Sequence, residues 1–179
     1  MPNPLEVDSE IELILVEASL ASTLFELIDS DRDRLSKWLP WPPLNKSVQD
    51  TVSFIEKCKS DFDKGISMVC AIRYLGNIVG VVGYNKIDTS LKKAELGYWL
   101  SSSKQGRGIV TRASRYLIDY AFAKLDVERV QIAAAAENTA SRKICERLGC
   151  GLEGIISNCE NLHGKVVSHA IYGIGKNET

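Results

Sequence analysis

The stretch from residue 96 to 113, LGYWLSSSKQGRGIVTRA, constrains this chain more than any other. Its first part alternates with the period of a strand. Its last part starts a helix near Ile109, with Val110, Ala113, Leu117, Tyr120 and Ala121 at helical spacing. A strand that passes through a short glycine loop into a helix belongs to layered folds, because the helix packs back onto the sheet it has left. Gly106 and Gly108 let the backbone approach a ligand without side chains in the way. The loop N–H groups and the helix N-terminus form an anion site, since the first helical donors lack partners and the dipole is positive there. Arg107 and Arg112 add charge, and a pyrophosphate suits such a pocket. The sequence lacks G-x-x-x-x-G-K-[ST], and Thr111 stands where a third dinucleotide-binding glycine belongs, so neither familiar phosphate motif is met. The plainer reading is a loop that only ends a strand and starts a helix.

The rest of the chain supplies the layers. Residues 10–16 (EIELILV) read as a strand, and helical spacing follows from Ser19 through Leu20, Leu24, Leu27 and Ile28. Residues 35–38 form a further turn. Residues 38–44 (WLPWPPL) read as a rigid loop, since three prolines exclude helix and central strand. Ser47 and Asp50 form a capping-box pattern before a helix carrying Val48, Val52, Ile55 and Phe62. Residues 67–75 and 78–84 are β-rich and separated by Gly76-Asn77, which predicts a hairpin with those two residues in the turn. Residues 94–101 continue the meander. Residues 127–135 read as a strand, and Asn138 caps a helix with Ala140, Ile144 and Leu148 on its apolar stripe, stopped by Gly149. Residues 152–159 and 166–174 give two last strands. The order β, αα, βββ, α, β, α, ββ predicts an α/β (α+β) fold in one domain over 1–179, with a mixed sheet of about seven strands and helices on its faces.

Composition bounds the rest. A chain of 179 residues, 45% hydrophobic and 25% charged, is long enough to bury a core without staples. Lys+Arg is 22 against Asp+Glu 23, so no basic excess points to a nucleic-acid partner. No run approaches the roughly 20 apolar residues of a membrane span, and the start lacks the charged and apolar regions of a signal peptide. Five cysteines without a C-x-x-C pair fit a reduced, cytoplasmic protein. Cys145 and Cys150 have the wrong spacing for zinc, and the two histidines do not complete a site, so no metal is expected.

Gln105-Gly106-Arg107-Gly108-Ile109-Val110 resembles the Q/R-x-x-G-x-G/A acetyl-coenzyme A signature of the GNAT superfamily of N-acetyltransferases. Val110 departs from its last position. KWLPW, SVQDTVSFI, AELGYWLSSSKQGRGIVTRA and ENTASRKICERLG are similar to the RimJ/RimL branch, which acetylates the N-termini of ribosomal proteins. The resemblance implies a mostly antiparallel sheet with one splayed strand pair. The pantetheine arm of acetyl-CoA would pair with backbone at Tyr98, Trp99, Leu100 and Ser101, beside residues 131–135. Backbone amides from Gln105 to Val110 would hold the pyrophosphate, and Asn138 would contact the arm as well as capping its helix. The implied acceptor is a peptide or protein N-terminus; a small amine is the alternative, and a non-catalytic acyl-CoA-binding module a third reading. A homodimer is allowed by the resemblance alone.

Attack of an amine on a thioester needs a base for the ammonium proton, a donor for the developing oxyanion and an acid for the thiolate. Glu95 is the candidate base, since the family often carries a glutamate there facing the acceptor. Alternation puts Glu95, Gly97 and Trp99 on one face and Leu96, Tyr98 and Leu100 on the other. Beside Trp99 the carboxylate is expected to be partly desolvated, hence a stronger base; a salt-bridged strand glutamate is the competing reading. Many relatives carry an acidic tyrosine where this chain has Cys145. Ser141 fits the N-x-x-S variant and is assigned to the cofactor sulfur as hydrogen-bond partner or acid. Trp38 and Trp41, fixed by prolines, read as a wall of the acceptor site or as aromatics packed on the sheet. His163 and His169 come late in the chain, near or on the last hairpin, where either could face the acceptor; both are read as structural by default.

Overall fold

The computed structural model describes residues 4–177. Its strands are β1 (Leu5–Glu6), β2 (Ile11–Leu15), β3 (Met68–Tyr74), β4 (Asn77–Asp88), β5 (Lys93–Leu100), β6 (Arg129–Ala135), β7 (Gly151–Leu162) and β8 (Lys165–Gly175). Helices are α1 (Ala21–Ser30), α2 (Arg32–Ser36), α3 (Val48–Asp63), α4 (Ile109–Lys124) and α5 (Thr139–Arg147). The strands form one sheet in the order β1-β2-β3-β4-β5-β6-β8-β7. Every pairing is antiparallel except β5 with β6. Among the described residues no helix is long and apolar enough to cross a membrane.

The sheet separates two apolar layers. On one face Leu96 and Leu100 of β5, Val130 and Ile132 of β6, and Ala170 and Tyr172 of β8 pack with Ile109, Ala113, Leu117 and Ile118 of α4 and with Cys145. On the other, Ala71 and Val81 pack with Leu24 of α1 and with Ile55 and Cys58 of α3. Tyr84 is fully buried, and its hydroxyl donates to the Leu117 carbonyl, tying β4 to the middle of α4.

Five local details differ from the sequence expectation. The sheet has eight strands rather than seven, because Leu5 and Glu6 pair with Leu13 and Glu12; two residues are too few to show a period. The hairpin turn is Leu75-Gly76, not Gly76-Asn77: Tyr74 pairs with Asn77, and Leu75 and Gly76 take φ of 47° and 80°. Two positive φ angles are what a tight hairpin turn demands, and Asn77 supports it by donating from Nδ2 to the Leu75 carbonyl at 3.0 Å. Pro42–Leu44 form one turn of 3-10 helix, which proline permits at the start of a helix. The buried stripe of α3 is Thr51, Ile55 and Cys58, with Val48 exposed. In α5 it is Cys145 that is buried, with Leu148 just beyond, while Ala140 faces outward. Ser47 caps α3 by accepting from the Asp50 N–H.

Candidate active site

The parallel pair is the break in the sheet. β5 and β6 are in register only from Lys93↔Arg129 to Glu95↔Gln131. Beyond that fork β5 continues to Leu100 and β6 to Ala135 without pairing, leaving a wedge between strand backbones. Residues 133–135 are alanines and put no bulk into the gap. Three backbone groups expected to serve a ligand are engaged within the protein, the Gln105 N–H among them, which donates to the Ser102 carbonyl at 3.2 Å. The Leu100 carbonyl accepts from Arg34 Nη2 at 2.6 Å, and the Ser101 N–H donates to the Val79 carbonyl at 2.8 Å.

The loop after β5 opens onto this wedge. Gly106 and Gly108 adopt φ of 74° and 69°, a left-handed conformation that favours glycine. A Cβ at either position would meet nothing within 4 Å, so space stands open before the backbone. Gly108 is the N-cap of α4 and supplies no side-chain cap, so the first helical donors are not met by a capping side chain. Ile109 and Val110 send their side chains into the core, so valine in place of a small residue does not narrow the open side of the loop. Arg107 and Gln105 line the cavity. Arg112 does not: its guanidinium is turned to Asp8 at 2.8 Å and Glu10 at 2.9 Å, which corrects the expectation that it adds charge to the anion site.

Across the wedge stands the start of α5. Asn138 caps it, Oδ1 accepting from the Ser141 N–H at 3.2 Å. The Ser141 hydroxyl lies 2.9 Å from the Tyr98 hydroxyl, which also approaches Cys145 Sγ at 4.0 Å. Burial pushes the Tyr98 phenol well above its ordinary range, with the Cys145 sulfur adding to the effect, so it remains a neutral donor. Burial likewise pushes the Cys145 thiol up to about 11, far from a thiolate at neutral pH. The sequence pattern marks Tyr98 only as strand backbone. No local pattern links positions 98 and 141, which the fold alone joins.

The opposite face of β5 carries Glu95, Gly97 and Trp99. Trp41 meets Trp99 with ring centroids 6.2 Å apart and planes at 53°. Arg32 holds the proline loop in place by donating to the Pro42 carbonyl and, at 2.7 Å, to the Asn45 carbonyl. Asn45 and Thr51 complete the anchor with a buried pair of mutual hydrogen bonds. Glu95 sits at the fork and pairs with Lys93 Nζ at 3.0 Å, its side chain 38% exposed. Gly97 separates Glu95 from Trp99 along the strand, and Lys93 takes the carboxylate, the contact of the salt-bridged alternative.

A second carboxylate faces the same space. Glu160 lies on β7, after an irregularity between Ile156 and Glu160, and its Oε2 is 3.4 Å from His169 Nε2. Both line the cavity. Nothing near Glu160 in the sequence marks it; the β7–β8 pairing brings it in. His163, at the tip of that hairpin, instead approaches the Leu39 carbonyl at 3.3 Å.

One cavity of about 1280 Å³ unites these parts: Trp38, Trp41, Trp99 and Glu95 on one side, the loop of residues 105–111, Asn138 and Ser141 on the other. That exceeds the usual single-ligand site and suits two substrates meeting through the wedge. Among the described residues no cluster of three or more His, Cys, Asp or Glu side chains is placed to hold a metal.

Residues 11–151 match the family described as acetyltransferase (GNAT) domain. The chain is 36% identical over 151 residues to the putative ribosomal N-acetyltransferase YdaF of Bacillus subtilis (strain 168), covering 83% of this chain and 82% of the relative. It superposes on the microcin C7 self immunity acetyltransferase MccE, solved with acetyl-CoA and AMP, with a TM-score of 0.94 and 32% identity, over 98% of this chain and 97% of the other. It matches RimL, the ribosomal L7/L12 alpha-N-protein acetyltransferase solved with coenzyme A, with a TM-score of 0.95 and 25% identity over 99% and 100% of the two chains.

Proposed function

Because this chain belongs to the GNAT acetyltransferase family, we propose that it is an acetyl-CoA-dependent enzyme acting on the N-terminal α-amine of a protein, a ribosomal protein foremost, in the cytoplasm. The observation that carries the reading is the strand fork at Glu95 and Gln131, opening between an uncapped glycine loop and a tryptophan-walled pocket within one cavity. The names of YdaF and RimL support the acceptor.

The residues present fit acetyl-CoA: the open space at Gly106 and Gly108 admits phosphates to bare N–H groups, and the wedge admits an extended arm. Bound there, it supplies the acetyl group as a thioester open to attack by the amine. The N–H groups from Gly106 to Val110 bind the pyrophosphate, that of Gln105 being taken by the Ser102 carbonyl. Tyr98 and the strand end through Ser101 flank the arm, with Asn138 opposite. Ser141, oriented by the Tyr98 hydroxyl, donates toward the departing sulfur. Direct attack on the thioester needs no enzyme nucleophile, and Cys145 packs beneath them as a thiol.

Trp38, Trp41 and Trp99 hold the acceptor. Its ammonium must lose a proton, and here magnitude matters. An α-amine is about 10–15% neutral at pH 7, a lysine side chain about 0.04%. A base acting through water suffices for the former. Glu95 at the fork is that base, and Glu160 with His169 forms a second proton-accepting pair in the same cavity.

The experiment is release of free coenzyme A from acetyl-CoA with N-terminal peptides and with small amines. Turnover of peptides is expected. Preference for polyamines, amino acids or aminoglycosides would replace the acceptor, and cofactor binding without any turnover would refute enzymatic function.

A further inference from the structure

We propose that Asn85 recognises the backbone of the acceptor's second residue and thereby selects an N-terminal peptide over a simple alkyl amine; this rests on the acetyl transfer to a protein N-terminus proposed above. The position is made by a β-bulge. β4 pairs with β5 at Tyr84↔Leu96 and resumes at Lys86↔Glu95, so Asn85 is an extra residue with no partner across the ladder. Bulges re-aim side chains and are frequent beside active sites.

Here the carboxamide is laid over Gly97. A Cβ on Gly97 would collide with Asn85 Nδ2 and press on its Cγ and Oδ1, so glycine at 97 is the residue that makes room for it. Gly97 shares its face with Glu95 and Trp99. The carboxamide therefore lies on the floor of the acceptor half of the cavity, between the fork carboxylate and the indole wall. Asn85 is exposed, and its carboxamide makes no hydrogen bond within the described residues.

A carboxamide carries a donor and an acceptor side by side in one plane. An extended peptide presents the N–H and C=O of a given residue toward the same side, as in a β-ladder. Asn85 Oδ1 accepts from the second residue's N–H, and Nδ2 donates to its carbonyl. A polyamine or an alkyl amine has neither group at that distance from its nitrogen. A site built to bond a polar group discriminates well against a substrate lacking it, because the site's own group is then left unpaired.

The test compares an acceptor peptide with the same peptide in which the N–H of the second residue is replaced by an ester oxygen. Wild-type protein is expected to favour the peptide about tenfold in kcat/KM. Asn85→Ala brings the ratio near one. Gly97→Ala, which displaces the carboxamide without removing it, lowers the ratio in the same direction; thermal melts of both variants establish that they are folded. A wild-type protein that treats the two acceptors alike, or an Asn85→Ala variant that keeps the preference, overturns the assignment. A wild-type protein that acetylates neither overturns the proposed function, and the assignment with it.

Discussion

Gly108→Asn and Gly108→Val together separate the two things a glycine does in the loop before α4. Gly108 sits at φ 69° and ψ 7°, and a Cβ there would touch nothing within 4 Å. Replacement in the unliganded protein therefore costs backbone strain rather than collision. For an ordinary L residue that strain is about 1–2 kcal/mol, and asparagine is among the few that tolerate the conformation. In a domain of this size 1 kcal/mol moves Tm by about 2–4 °C, so Val is expected to lower Tm by about 2–8 °C and Asn by much less. The ligand feels the opposite ranking of causes. On the proposed reading of the loop, either side chain crowds a phosphate held at the loop N–H groups. Losing one hydrogen bond to a charged group weakens binding by about 1.5–3 kcal/mol, or a rise in Kd of about 10- to 150-fold. Calorimetry with coenzyme A and thermal melts of the free protein read the two quantities separately. A Gly108→Asn protein that binds coenzyme A as tightly as wild type would refute the cradle, whatever its Tm.

Ser141→Ala and Tyr98→Phe are each expected to lower kcat by at least about tenfold with little change in coenzyme A affinity, whereas Cys145→Ala keeps kcat; loss of activity in Cys145→Ala alone would move the chemistry to the sulfur. Glu95→Gln is expected to lower kcat most below pH 7, where the α-amine is largely protonated, and least above pH 8; if Glu160→Gln shows that pH profile and Glu95→Gln does not, the base is Glu160. Burial raises the thiols of Cys58 and Cys145 from 9.0 to about 11 and that of Cys70 to about 12. The folded state thus keeps protons that the unfolded chain releases, so stability is full below about pH 9 and falls as pH rises through 11–12. Tm should hold steady from pH 7 to 8.5 and drop by pH 10.5; a flat profile to pH 11 would contradict the burial of these groups.

Much of the layering is written locally. The change of period at the glycine loop, the Ser47 and Asn138 caps and the meander all follow from neighbours a few residues apart, and the structure has each of them. Local reading slips where a conformation is imposed on an unlikely residue. Leucine at φ 47° in the hairpin turn is disfavoured by itself and held by the pairing on either side.

The site divides along the same line. Gly106 and Gly108 announce themselves, because only glycine adopts left-handed backbone without strain. So do Trp38 and Trp41, because three prolines leave their loop few conformations. Local sequence thus suffices for the half of the candidate site that is built from backbone. The side chains that meet across it are joined by the fold: Tyr98 with Ser141, Glu160 with His169, Arg34 on the Leu100 carbonyl, and Asn85 over Gly97. The physical reason is range. Backbone conformation and capping depend on residues within one turn or one strand, whereas a contact between positions 98 and 141 exists only after a sheet, a wedge and a helix have been assembled.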